Sequence, residues 1–427
     1  MTRDHTLRAA LSNELHARPP SPIHTPARAS HVAMLSGETA ASSDRAHFGT
    51  LCRRFGMAEP APEANHHLVD LGFARVKWER HTEYSAYTVY RDGCDAANPF
   101  AQPAIDALPA DWVSELAGER IVAVHIALVQ ETPNEANLVH LFGNDGFVGA
   151  HFSGERAMGW TDFRIHGDGW SRILVQDHNL GVRSAGRLVQ RLVEIENYRI
   201  LALLSLPIAW EAMARLSVIE RAVTETLVDN MPRSGLKDDR ALLDVLTSQA
   251  SACESIAAET SYRFAATRAY HGLVTQRLLD LRELRIEGLP GWGEFMARRY
   301  APAIATCEAV AARLDALSLR THRAANLLRT RVDVALEGQN ADLLASMDRR
   351  ADLQLRLQET VEGLSVVAIS YYALALVGHA VQGLRLVQID IDPDMAEGVA
   401  VLPVVILVWL GLHCIKRRIA RSLNKPH

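Results

Sequence analysis

GLSVVAISYYALALVGHAVQGL (residues 363–384) and GVAVLPVVILVWLGLHCI (residues 398–415) are two stretches without a charged side chain. As helices rising about 1.5 Å per residue they span roughly 33 and 27 Å, close to the hydrocarbon thickness of a bilayer. They are read as two transmembrane helices, joined by the acidic link RLVQIDIDPDMAE (385–397) and closed by the basic tail KRRIARSLNKPH (416–427). Buried core helices are the alternative, but these are normally shorter or carry a charged stripe.

Charge sets the expected orientation. Lys416, Arg417, Arg418 and Arg421 follow the second run, whereas Arg385 is the one basic residue of the link. Positive-inside counting puts the C-terminus in the cytoplasm, and two spans return the chain to its starting side. Both termini are thus expected to be cytoplasmic in a multi-pass protein. Arg349, Arg350 and Arg356, ahead of the first run, agree. Asp390, Asp392, Asp394 and Glu397 are left on the outer face, where acidic groups concentrate cations.

The first run carries small or polar residues at helical steps. Ala368, Tyr372, Ala375, His379 and Gln382, with Gly378 beside them, form one face, and Val366, Leu374, Val377 and Val381 lie roughly opposite. Polar groups at membrane depth turn toward partner helices or a wet cavity. Tyr372, Ala375, Gly378, His379 and Gln382 are therefore pore-lining candidates in a homo-oligomer. His379 and Gln382 sitting at the headgroup boundary is the plainer alternative.

The remaining chain reads as a cytoplasmic α+β domain (1–177), a long-helix, coiled-coil-like stalk (178–360) and then the hairpin (361–427). With 427 residues, 48% of them hydrophobic, there is material for a large core. A net charge of −5 and the lack of a basic stripe interleaved with aromatics leave no case for nucleic acid. The five cysteines are scattered, which fits a reducing compartment. The polar start, MTRDHTLRAALSNELHARPP, has no apolar signal segment, so targeting is expected to rest on the hairpin.

Leu7 to Ala17 predicts a short helix stopped by Pro19 and Pro20; PPSPIHTPARAS reads as extended or turn structure, and Glu38 to Phe55 as a further helix. From His67 to Gln176 the chain turns to strands: LVDLGFARVKWERH, EYSAYTVYRD, RIVAVHIALVQ, ANLVHLF, GFVGAHFS, GWTDFRIH and GWSRILVQD. Beyond Gly181 it is helical. A bend is expected at Pro207 and a turn at Asn230 to Gly235. One helix should cover Asp238 to Glu287 and another Glu294 to Leu336, with a seam of Leu314, Leu317, Thr321, Ala324, Leu328, Val332 and Ala335. After a break at Gly338, a last helix runs from about Asn340 into the first apolar run.

Phosphate-loop, nucleophile-elbow, HExxH and GxGxxG signatures are missing, and no catalytic residue is assigned. HFSGE (151–155) puts a His beside a Ser, but neighbouring strand residues face opposite ways. His5, His16, His24, His31, His47, His66 and His67 match no metal-ligand spacing and read as solvated. Asp145 and Asp168, in GNDG and HGDG, read as turn residues. Glu194 and Glu196 lie two apart on a helix and face different ways.

SNELHARPP (12–20), KWERHTEYSAYT (77–88), SGERAMGWTDFRIHGDGWSRILVQD (153–177) and VEIENYRILALLSLPIAWE (193–211) resemble a bacterial family of uncharacterised membrane-anchored proteins, which implies the inner membrane and lends no activity. In layout the chain is also similar to CorA-type divalent-cation channels, pentamers with the first span lining the pore. Where those carry Gly-Met-Asn, this chain reads VGHAVQGL. That likeness implies an oligomeric cation channel or transporter with a divalent cation as its ligand and no other cofactor. The alternative is a non-conducting membrane anchor whose cytoplasmic part binds a protein partner.

Overall fold

The computed structural model describes the chain apart from residues 1–3, 9–10, 13–17, 144–145, 231–234, 386–392 and 424–427. It is an α+β domain followed by long helices and two apolar helices, and it divides into two compact units. The first is Met1–Ser234 with Ala241–Asn326; the second is Gly235–Arg240 with Leu327–His427.

The first unit is built on a nine-stranded sheet of order β2-β3-β4-β1-β5-β8-β7-β6-β9. Its strands are β1 Ala27–Leu35, β2 His66–Asp70, β3 Arg75–Arg80, β4 Tyr84–Asp92, β5 Glu119–Val129, β6 Val148–Phe152, β7 Ala157–Thr161, β8 Ser171–Asp177 and β9 Leu284–Arg285. Neighbours are antiparallel except β5 and β8, which run parallel in the register Val124 to Ser171. Helix α1, Ala41–Arg54, covers one face: Phe48, Leu51 and Cys52 pack with Val32, Val76, Trp78, Tyr87 and Val89. Short α2, Ala110–Ser114, adds Trp112 to that core. Helix α4, Val182–Leu203, covers the other face, where Leu188, Leu192 and Ile195 meet Val124, Ile126, Ile173 and Val175. The alternation of side chains along each strand feeds these two cores separately.

β1 is an interior strand, between β4 and β5, and only its first four residues, ARAS, fall in the stretch PPSPIHTPARAS that reads as extended or turn structure. Small Ala27, Ala29 and Ala33 and buried Ser30 and His31 weaken the apolar alternation that marks a strand. ANLVHLF, read as a strand, lies in helix α3, Glu135–Phe142. Asn134 caps it by accepting from the Asn137 amide at 2.8 Å, and Leu138, Leu141 and Phe142 bury at helical spacing. The helix at 41–54 and the turn at Asp168 are where the sequence puts them. Asp168 accepts from the Trp170 amide at 3.0 Å and from Arg172 at 3.0 Å.

After α4 the chain enters α5, Ser205–Thr224, through a break at Leu204, which leaves Pro207 in the first turn where its missing N–H costs nothing. Helix α6, Leu236–Leu281, stops at Arg282, whose φ is 50°, so that β9 can pair with β6; the expected helix to Glu287 is thus shorter. A one-turn α7, Trp292–Phe295, and a π-helical turn, Met296–Tyr300, lead into α8, Ala301–Arg385. α8 is a single helix. The expected break at Gly338 does not occur, because one glycine costs a helix only about 1 kcal/mol and the residues around it are strong helix formers. Of the predicted seam, Leu314, Leu317, Thr321, Ala324, Leu328 and Val332 are buried and Ala335 is half-buried.

Within the second unit, α8 is followed by α9, Pro393–Leu423. The Lys416 ammonium lies 2.8 Å from the Glu362 carboxylate, so the charged ends of the two apolar runs meet at one level. Val366 of α8 shares a small recess with Trp409, Leu412 and His413 of α9. Among the described residues, three helical segments could by length and composition cross a membrane: Val182–Val228, Trp292–Val381 and Gly398–Lys416. In the first, Leu188, Leu192, Leu201 and Leu216 are already spent on protein core. In the others Leu364, Val367, Leu376, Val399, Leu402 and Leu407 are at least 67% exposed, an apolar surface that water would penalise and lipid would not.

Candidate functional site

The most elaborated polar feature of the first unit is a cavity of about 250 Å³ between the β1–β3–β4 part of the sheet and α4. β1 supplies His31, β3 Glu79, β4 Tyr84 and α4 Gln190, Glu194, Asn197 and Tyr198; Arg18 and His81 complete its wall. Arg18, His81, Tyr84 and Tyr198 also line a wider recess of about 610 Å³ that takes in Asn65, Thr82 and Tyr270.

Strand alternation explains the polar wall. Val76, Trp78 and Arg80 point to the α1 side, which leaves Lys77 and Glu79 on the opposite face. The Lys77 ammonium lies 2.8 Å from Glu79, an ion pair made where both side chains are largely withdrawn from water. Arg80, on the far face, is held by Asp44 at 2.9 Å and Ser36 at 2.7 Å, while its backbone carbonyl accepts from Arg18 at 3.1 Å. α4 carries Gln190, Glu194, Asn197 and Tyr198 at steps of three and four, hence on one side of the helix.

His31 is fully buried and held at both ring nitrogens: Nδ1 is 2.8 Å from the Thr88 hydroxyl and Nε2 3.0 Å from Asn197 Oδ1. Burial drives its pKa down to about 4, partly offset by the Asn197 hydrogen bond and helped by the Lys77 charge. The ring is therefore neutral near pH 7. With Asn197 Oδ1 as acceptor, Nε2 carries the proton and Nδ1 accepts from Thr88. His81 stacks on Tyr84 with ring centroids 4.3 Å apart, and burial, reinforced by the Arg18 charge, takes its pKa down to about 3. Tyr84 is 1% exposed and its hydroxyl has no partner among the described residues; burial pushes its ionisation well above the ordinary range.

The opposite wall is held by charge. Gln190 donates to Glu194 at 2.8 Å, which leaves the Gln190 carbonyl oxygen buried and unpartnered; Arg277 of α6 also binds Glu194. Tyr198 stacks on Tyr270, and Tyr270 donates to Glu83 at 2.7 Å. Glu83 in turn takes both guanidinium nitrogens of Arg263, at 3.2 and 2.8 Å. A buried acceptor, the Gln190 oxygen, and a hydroxyl able to donate or accept, that of Tyr84, thus remain for a visitor.

None of these residues was a candidate from the sequence. The signal was there in another form: SNELHARPP contributes Arg18, KWERHTEYSAYT contributes Glu79, His81 and Tyr84, and VEIENYRILALLSLPIAWE contributes Asn197 and Tyr198. Phrases far apart in the chain converge on one cavity. His31 is also not the solvated histidine expected from its neighbours, while His5 and His24 are exposed. Glu194 and Glu196 do diverge: Glu196 is buried against Arg199 at 2.7 Å and Ser171 at 3.3 Å, away from Glu194.

Of the pore-lining candidates, Tyr372 and His379 are exposed, Ala375 is half-buried and Gly378 is buried, while the Gln382 side chain lies outside the described residues. The side of the first run nearest α9 carries Val366 and the buried Ser370. Asp390 and Asp392 lie outside the described residues, as do the side chains of Asp394, Glu397, Arg417, Arg418 and Arg421. Asp145, His16 and most of the turn at Asn230 to Gly235 are also outside them, and the Leu7–Ala17 helix lies partly outside. Lys416 is described and pairs with Glu362. Among the described residues no group of three or more His, Cys, Asp or Glu side chains could hold a metal ion.

No curated protein and no solved structure matches the chain, so the likeness to CorA-type channels is one of layout alone. The model of one family, described as "Protein of unknown function (DUF3422)", matches residues 3–419, and the chain belongs to that family.

Proposed function

We propose that this chain is a membrane-anchored binding protein: the two C-terminal apolar helices hold it in the bilayer, and the polar cavity of the α+β unit recognises a small, polar ligand without turning it over. The observation that carries this reading is the Tyr84 hydroxyl, buried beside His81 with no partner among the described residues. A fold gains nothing from an orphaned polar group, whereas a ligand that accepts its hydrogen bond does. Positive-inside counting over Lys416, Arg417, Arg418 and Arg421 supports a cytoplasmic location for both termini in an inner membrane. Exposed Tyr372 and His379 support association of copies through that face of the first span, and a cytoplasmic protein partner would respond to the cavity's occupancy.

Two measurements test the reading. Alkaline carbonate extraction should leave the full chain in the membrane pellet, and release into the supernatant would end the anchor reading. A thermal-shift screen of polar metabolites against the full chain should find a stabilising compound; a site filled at 100 times Kd adds about 2.7 kcal/mol. Tyr84→Phe should keep the unliganded melting temperature within about 1 °C and lose most of that gain. Cation flux in proteoliposomes separates this from the CorA-like channel reading: a sealed bilayer is expected, and selective divalent flux would favour the channel.

A further inference from the structure

A second recess of about 630 Å³ lies between the C-terminal end of α6 and the segment that leads into α8, wholly within the first unit and apart from the polar cavity. Its volume falls in the range of roughly 300–1,000 Å³ usual for small-molecule sites. Val274, Leu278, Met296 and Ala297 give it apolar walls. Val274, Met296 and Tyr300 are at most 5% exposed, so they form its base.

Two polar atoms interrupt this surface. Tyr300 and His271 pack with ring centroids 5.6 Å apart, and both the Tyr300 hydroxyl and His271 Nδ1 are buried without a partner among the described residues. Arg282 and Arg285 belong to the same lining, are exposed, and make no ion pair among the described residues. Glu283 lies beside them but accepts from the Gly293 amide at 2.9 Å. Two arginines and one glutamate give the lining a net charge of +1. An apolar base with a singly cationic rim complements a long hydrocarbon chain that ends in one negative charge.

We infer that this recess binds a free long-chain carboxylate, a fatty acid, with the alkyl chain against Val274, Leu278 and Met296 and the carboxylate at Arg282 and Arg285. A monoanion matches the rim. A phosphate head would bring a second charge against Glu283. The inference does not depend on the polar cavity or its ligand.

Full-length protein in nanodiscs, exposed to a photoactivatable palmitate analogue and digested, tests it by mass spectrometry. Cross-links are expected on peptides spanning residues 271–301. Unlabelled oleate should compete, whereas oleyl alcohol, which lacks the charge, should compete at least about tenfold less well. Arg282→Glu with Arg285→Glu should cut labelling by about tenfold or more, since two attractive charges become repulsive. Met296→Trp should fill the base and block labelling with the rim intact, and unchanged circular dichroism in either variant shows that the fold survives. Labelling confined to residues 364–412, equal competition by oleyl alcohol, stronger competition by lysophosphatidate than by oleate, or undiminished labelling of both variants would each overturn the assignment.

Discussion

Removing one carboxylate, Asp44→Ala, should destabilise the first unit far more than its size suggests. Asp44 is wholly buried and its Oδ2 accepts from Arg80 at 2.9 Å, Ser36 at 2.6 Å and Ser85 at 2.6 Å. The Arg80 side chain is 5% exposed, so without Asp44 a guanidinium stays in the interior with hydroxyl and carbonyl oxygens but no counter-charge. Breaking a buried pair from one side costs about 3–5 kcal/mol. At about 2 °C per kcal/mol for a unit of this size, the melting temperature should fall by roughly 6–10 °C. Tryptophan fluorescence is a suitable probe because Trp78 is buried in the same core and its indole N–H lies 3.3 Å from the Ser85 hydroxyl. Asp44→Asn, which keeps an acceptor, should fall by less. The double variant Asp44→Ala with Arg80→Met should recover much of the loss, because an apolar pair removes the stranded charge. A single variant that melts within 1 °C of the parent, or a double variant worse than either single, would refute the argument.

Stability should also fall on mild acidification. His31 binds its proton at about 4 in the folded chain and near 6.5 when unfolded, so the contribution is complete above pH 6.5 and is lost as pH drops toward 4, by at most about 3 kcal/mol. His125, likewise pushed to about 4 by burial, adds in the same direction, and melting scans between pH 7 and 4 should flatten in part when His31 is replaced by Gln. Gly186→Ala should destabilise, since a Cβ there would sit 2.0 Å from the Ser21 carbonyl oxygen. Gly272→Ala, in an open position on α6, should stabilise by about 0.5–1 kcal/mol; equal responses of the two glycines in urea titration would contradict the packing described. Removing residues 361–427 should move the product from the membrane pellet to the supernatant.

The apolar runs at 363–384 and 398–415 were readable because lipid demands length and lack of charge, both properties of the local sequence. The seam from Leu314 to Val332 and the Asp168 turn were readable for the same reason: helical spacing and turn chemistry are local. β1 was not, because an interior strand can be made of alanines once its neighbours cover both faces. ANLVHLF was misread because seven residues rich in apolar side chains satisfy either period, and the Asn134 cap that decides between them lies two residues before the window. The polar cavity was hidden for a different reason. Arg18, Glu79, Tyr84 and Asn197 form no motif along the chain, and only the pairing of β3 with β4 and the packing of α4 bring them together.

The placement of β1 carries a consequence for how the protein is made. Its partners on the two sides are β4, ending at Asp92, and β5, ending at Val129, so the strand leaves the ribosome well before the second of them exists. At ~5–20 residues per second that wait lasts roughly five to twenty seconds, with a sticky, nearly uncharged ribbon left open to other nascent chains. Shielding of residues 27–35 by a chaperone during synthesis would then govern yield more than the final stability does.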